Sequence, residues 1–525
     1  MPNDCPCISA GIDSPWQSSF IKHNSELRLF LIILGSESKG GRSVAIRGYA
    51  TFATRRSLAY DFFRFLKRPL VDKIFGADPE RATPACSQAD GVDFVQMSPK
   101  KIWLIQLLNI AGVGPIFGPI LGALYGPAAL LWIVLGSIFA GGVHDYFSGM
   151  LSLRYNGTNV PNIVGYNLGN FFKHLMRVFS VVLLVLVGVV FVTAPAHLLE
   201  TLTPAWMDYK VWLAIIFIYY FLATIMPIDK IIGRLYPFFG AVLMIMAVGI
   251  TVMLFVKDGG NFYPSAEWAN QHPKGLPLWP LMFITIACGA LSGFNATQSP
   301  LMSRCLPNER YGKPVFYGGM IAEGLIALVW ATVGMTFYHT PADLQAALAS
   351  GGPGAVVQTA SFELMGHVGG ILAIIGVVVL PITSGDTAFR AARLTIAESI
   401  NMKQTQIPKR LMLAVPLFAI GIALSQIDFN LIWRYFGWAN QTLAAIVLWA
   451  GAAYLYKKGL FHWICTVPAA FITAAVTSYI CYEPTMGFGL PIVVSNWIGI
   501  GVTLASLVLF LVKGKEVIKG VPLTA

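Results

Sequence analysis

Apolar and polar positions fall in long blocks along this chain. From about residue 100 onward twelve apolar runs follow one another, at 102–124, 128–152, 176–197, 211–226, 236–256, 278–298, 315–338, 367–384, 410–425, 438–456, 461–482 and 491–512. A helix needs about 20 apolar residues to cross the hydrocarbon of a bilayer, so the pattern predicts a bundle of some twelve transmembrane helices. The fourth and ninth runs are short and are expected to be tilted or partly interfacial. Two runs carry interruptions of their own. Within Asn109-Ile-Ala-Gly-Val-Gly-Pro-Ile-Phe-Gly-Pro119, five of the eight residues from Gly112 to Pro119 are Gly or Pro. The sixth run contains Phe283-Ile-Thr-Ile-Ala-Cys-Gly-Ala-Leu-Ser-Gly-Phe-Asn-Ala-Thr-Gln-Ser-Pro300. Proline removes an amide donor and clashes with the preceding turn, and glycine adds backbone freedom. In hydrocarbon such a break needs neighbouring protein, water or a bound solute to satisfy it. The alternative is close helix packing at small residues, and both readings stay open.

Composition agrees with the runs. The chain has 525 residues, 56% hydrophobic and 12% charged, with mean hydropathy +0.66, whereas a soluble domain carries about 25% charged residues. The net charge is +11, but the basic residues cluster between runs, so they report topology and not nucleic-acid binding. Seven scattered cysteines imply no disulfide framework or metal site, and no phosphate-binding loop of the Walker type is present. No set of nucleophile and base suggests an enzyme, and no cofactor is expected.

Counting Lys and Arg in alternate connections gives twenty on one side, including Arg304, Lys458 and Lys515, and four on the other: Lys210, Lys257, Lys274 and Arg434. Basic connections stay cytoplasmic, so both ends are expected inside and Asp343 and Glu483 outside. The expected organisation is an irregular, disordered or wrongly assigned segment at 1–60 and a cytoplasmic membrane-adjacent segment at 61–101. A first five-helix repeat at 102–256 and a second at 278–456 follow, then two peripheral helices at 461–512 and a cytoplasmic tail at 513–525. Five is odd, so the second repeat starts from the opposite face. Each repeat opens with an interrupted helix, which is the sequence mark of an inverted-repeat transporter site. The fold class expected is therefore all-α and polytopic, with a 5+5 inverted repeat resembling the leucine-transporter (LeuT) fold.

Four separated motifs, Asp78-Pro-Glu-Arg-Ala-Thr-Pro-Ala85, Asn109–Pro119, Phe139-Ala-Gly-Gly-Val-His-Asp-Tyr146 and Gly289–Pro300, resemble the carbon starvation protein A (CstA) family in its shorter form, from about Val71 to about Lys515. The resemblance implies a bacterial inner-membrane uptake carrier linked to pyruvate and to peptides and expressed when carbon is short. Family members usually start with a helix just before the first motif. Residues 1–60 do not supply it, so either the start is misread, the first expectation, or the helix was lost.

Half-helix ends attract ions: amide protons at an N-terminus attract anions, and carbonyls at a C-terminus attract cations. Gly112, Gly114, Gly289 and Gly293 would let a small carboxylate approach the backbone, with Ser292, Asn295, Thr297, Gln298 and Ser299 adding hydrogen bonds. Their alternative role is packing and mutual satisfaction. Acids inside the membrane are costly and point to function. Asp145 beside His144 is a candidate proton relay or a structural pair, and Glu323 is a second candidate. Asp386 is a candidate coupling group or a cap near Arg390 and Arg393. By analogy with the leucine-transporter fold, Thr383 and Ser384 could hold Na+ with carbonyls of Ala111 and Gly114. The expected function is cation symport, driven by H+ or Na+, of a small carboxylate, pyruvate first. Peptide uptake is the rival, and a channel or a membrane sensor is the alternative from another class. Oligomeric state has no signature in the sequence.

Overall fold

The computed structural model describes residues 70–520 except 92, 226–227, 259–267 and 405. The expectation for residues 1–60 lies outside the described residues. Within them every regular element is helical. Before the first span, α1 (Leu70–Phe75) and α2 (Pro84–Ser87) fold against the bundle. The first five spans are α3 (Pro99–Ile110) with α4 (Gly114–Gly122), α5 (Ala128–Gly136) continued through a π-helical turn into α6 (Gly142–Arg154), α8 (Asn170–Glu200), α9 (Tyr209–Ile225) and α10 (Ile228–Asp258). A short helix, α7 (Val160–Leu168), precedes α8. The second five are α11 (Leu278–Thr285) with α12 (Gly293–Ser303), α13 (Gly318–Thr336), α14 (Pro341–Ser399), α15 (Ile407–Leu424) and α16 (Phe429–Lys457), and α17 (Trp463–Tyr482) and α18 (Ile492–Gly520) close the chain.

Eight of these helical segments are apolar and long enough to span by themselves, and α3 with α4 forms a ninth, bent by 50° at its break. The shorter α9, the broken pair α11–α12 and the more polar α16 complete the twelve expected runs. Helix α14 corrects one boundary. The eighth run was expected to end at 384, with Asp386 terminating it, but the helix continues to Ser399 and Asp386 is fully buried within it. The run was closed where apolar residues stop. The following turns, with four Ala and two Arg, contain good helix formers, and most of their polar members are buried against protein. Toward its other end, α14 breaks at Gly351, Gly352 and Gly366.

The bundle is apolar outside as well as inside, and several of its polar groups are buried. Val178, Ile218, Val248, Val415 and Val508 are more than half exposed, while Asn109, Asp145, Asn295, Glu323 and Asn440 are fully buried. An apolar exterior, with polar groups kept for the interior among a largely apolar core, fits a solvent of lipid. Helices α8 and α10 pack along α14, α10 and α13 pack on α3, and α17 pairs with α18 beside α16. Helix α18 leaves most of its apolar surface uncovered. The two broken helices meet in the middle: a Cβ on Gly114 would lie 2.3 Å from the Cys288 Sγ.

Candidate functional site

In the first break, α3 ends at Ile110, residues 111–113 leave the helix, and α4 starts at Gly114. The carbonyl of Leu108, in the last turn of α3, accepts hydrogen bonds from Thr383 Oγ1 at 3.0 Å and Ser384 Oγ at 2.9 Å on α14. The two expected hydroxyls therefore stand against the carbonyl end of the half-helix. Gly112 packs on the Phe191 ring, where a Cβ would come within 2.2 Å.

The second break spans residues 286–292, between α11 and α12. Its backbone is satisfied by side chains from three other helices. Trp132 donates to the Ile286 carbonyl at 3.0 Å, and Gln441 donates to the Leu291 carbonyl at 3.0 Å. The Phe294 amide donates to Asn440 Oδ1 at 2.6 Å, and the Gly289 amide donates to Glu323 Oε1 at 3.0 Å. Ser292 and Asn440 are also bonded to each other, at 3.2 Å. Gly293 packs against the backbone of α16, with Asn440 O 2.2 Å from where a Cβ would stand.

One turn into α12 the Asn295 amide donates to two carboxyls, Asp145 Oδ2 at 2.9 Å and Glu323 Oε2 at 3.0 Å. His144 Nδ1 lies 2.8 Å from Asp145 Oδ1. Ser148 donates to Ser299 at 3.0 Å alongside. All these side chains are essentially inaccessible to solvent. His144, Asp145, Asn295 and Glu323 thus form one polar centre linking α6, α12 and α13. Thr297 and Gln298 do not join it: Thr297 donates to the Phe294 carbonyl at 2.6 Å, and Gln298 donates to Thr297 at 2.9 Å. Asp386 is also separate, held by the Tyr219 hydroxyl at 3.1 Å.

A narrow cavity opens where the breaks meet, lined by Gly114, Ile284, Thr285, Ala287, Cys288, Trp433, Phe436 and Gly437. None of these side chains is charged. The first turn of α4, the positive end of a half-helix, faces it. Oxygens able to hold a monovalent cation are those of Thr383, Ser384 and the nearby carbonyls. Among the described residues no group of His, Cys, Asp and Glu is arranged to hold a metal ion.

Sequence reasoning missed Asn440, Gln441 and Leu108. An Asn–Gln pair inside the apolar run 438–456 was a readable signal, because amides in a span need partners. A backbone carbonyl such as that of Leu108 has no sequence mark.

Two broken helices packed at mid-bundle, opening two five-helix groups, define the leucine-transporter fold in an integral membrane protein. Two solved structures share the architecture. They are MHP1, a nucleobase-cation-symport-1 family transporter in a closed conformation with bromovinylhydantoin bound, at TM-score 0.55 and 13% identity over 81% of this chain and 94% of that one, and MhsT in complex with L-phenylalanine, at TM-score 0.51 and 16% identity over 79% and 98%. The family described as Carbon starvation protein CstA matches residues 53–207, 196–350 and 342–479, and the chain belongs to that family. An uncharacterized membrane protein of Haemophilus influenzae is 50% identical over 55% of this chain and 91% of its own length. The peptide transporter CstA of Escherichia coli K12 is 24% identical over 78% and 77%.

Proposed function

We propose that this protein is a secondary active transporter that brings a small carboxylate, pyruvate first, across the bacterial inner membrane together with a proton. The observation that carries the substrate reading is the positive end of α4 facing a narrow cavity with aromatic walls and no charged side chain. As it stands the space has room for about one water; on opening, a carboxylate would meet the Gly114 amide, since Pro115 has none and those of Ile116 and Phe117 are held by the Val113 carbonyl, and a short apolar body would lie against Trp433 and Phe436. A peptide also brings an ammonium group, and the cavity wall offers that group no acid. Proton coupling is supported by Asp145 and Glu323 sharing one amide in a dry interior, where two carboxylate charges are costly and protonation relieves them.

Peptide uptake is the second reading, favoured by the names of the relatives in Escherichia coli and Bacillus subtilis, both called peptide transporter CstA. Counterflow in proteoliposomes decides between them. Labelled pyruvate should enter vesicles preloaded with pyruvate, and di- and tripeptides should not compete. Competition by peptides, with no pyruvate exchange, overturns the carboxylate reading.

A further inference from the structure

The two breaks are satisfied in different ways. At the first, the start of α4 faces the cavity. At the second, side chains already hold the exposed amides, Glu323 that of Gly289 and Asn440 that of Phe294. Gly289 has φ +85°, a conformation that favours glycine, and it lies flat on α13: a Cβ there would come 2.3 Å from the Ala327 Cβ. Ala327 is one turn from Glu323 on the same face of α13. Residues Ala287 and Cys288, next to this turn, are part of the cavity wall. Glu323 therefore has one oxygen on the backbone of the wall and the other on Asn295, which also reaches Asp145.

We propose that Glu323 is the carboxyl that couples proton uptake to the substrate cavity, acting through the amide of Gly289; this rests on the reading of the protein as a proton-driven carboxylate transporter. An ionised carboxylate accepts on both oxygens, holding Gly289 and Asn295 together. A protonated one turns an oxygen into a donor and a weaker acceptor, so the amide facing that oxygen is held less tightly. The change forms only an O–H bond and adds no charge beyond the proton, yet it loosens the turn that fixes Ala287 and Cys288. The titratable groups acting on Glu323 are Asp145 from α6, with His144 behind it, and Cys288 from the break. Asn295 positions both carboxyls.

The test compares wild type with Glu323→Gln in proteoliposomes, using pyruvate as the probe. Accumulation is measured under an imposed pH gradient, and counterflow without one over a range of pH. Glu323→Gln should fall to the no-gradient level of accumulation but keep counterflow, and its counterflow should lose the pH dependence seen in wild type. Wild-type accumulation by Glu323→Gln overturns the assignment. Absence of pH-gradient-driven accumulation in wild type overturns the proton-coupled reading instead, so the two failures are distinct. Should Glu323→Gln not insert, Glu323→Asp carries the test, because it keeps a proton but falls one methylene short of Gly289. Its accumulation ratio should drop with counterflow retained, and an unchanged ratio overturns the link through Gly289.

Discussion

Gly114 and Cys288 meet with no room between them, each from a different broken helix. A methyl at 114 must push the second break away, and with it the cavity wall. Gly114→Ala should abolish transport while the protein still inserts. Replacing the opposing side chain as well, in Gly114→Ala with Cys288→Gly, should restore part of the rate, since the total volume at the contact is nearly conserved. Transport at the wild-type rate in the single variant removes this contact from the site. A second test at this scale separates the coupling ions. Asp145→Asn keeps shape and removes charge, so under a proton gradient uptake should stop while exchange persists. If sodium drives uptake, Thr383→Ala with Ser384→Ala should instead weaken sodium dependence, because their hydroxyls lie on the Leu108 carbonyl. Measuring both variants under each imposed gradient distinguishes the cases.

How far individual residues were readable follows from their chemistry. Glycines and prolines announce a break because they remove side chains and donors that a helix needs, so 109–119 and 283–300 were legible as interruptions. An acid in an apolar run announces cost but not its partner. Nothing in the sequence says that Asp145 and Glu323 share Asn295, because the three lie on three different spans.

At the scale of elements, the Asp78–Ala85 motif receives a structural account. Its segment is clasped to the end of the bundle by a buried carboxylate. Glu309 accepts from Arg154 Nε at 2.6 Å and Nη2 at 2.8 Å, and from the Asp78 amide at 2.8 Å. Arg154 also donates to the Gly76 carbonyl at 2.6 Å and lies over the Phe75 ring. Asn308 holds the Pro79 carbonyl at 2.7 Å. In α1, burial pushes the Asp72 carboxyl above its ordinary range, opposed by the Tyr146 hydroxyl at 2.6 Å and by Lys313. Glu309 is 1% exposed and the Arg154 side chain 12%, so removing Glu309 takes the counter-charge from a mostly buried guanidinium, a change that costs about 3–5 kcal/mol. Glu309→Ala should lower the Tm in detergent, and adding Arg154→Ala should cost much less than the sum of the two single changes. Strict additivity would show that the pair does not hold the segment. The motif was visible in the sequence. Its partner, more than two hundred residues away, was not.

At the scale of the whole molecule, helical spans were legible because hydrocarbon permits so few structures. Boundaries were less so: α14 ran past its expected end because helix propensity and buried pairing, not hydropathy, decide where it stops. Orientation is still a matter of charge, and it predicts a labelling pattern. The basic connections that contain Arg154, Arg304 and Lys458 are expected to face the cytoplasm, and those that contain Asp208, Asp343 and Phe488 the outside. Suitable probes must be exposed: Arg304 and Glu483 are buried, whereas Asp208, Asp343, Phe488, Lys403 and Lys458 are accessible. Single cysteines at these five positions, in a background with Cys5, Cys7 and Cys86 replaced, should react with an impermeant maleimide on intact cells at 208, 343 and 488 only. Positions 403 and 458 should react once the membrane is opened. Positions 208 and 343 lie in different five-helix groups, so their shared side tests the inversion as well as the orientation. Labelling of 403 or 458 from outside would reverse the orientation. Labelling of 208 and 343 from opposite sides would break the inverted repeat itself.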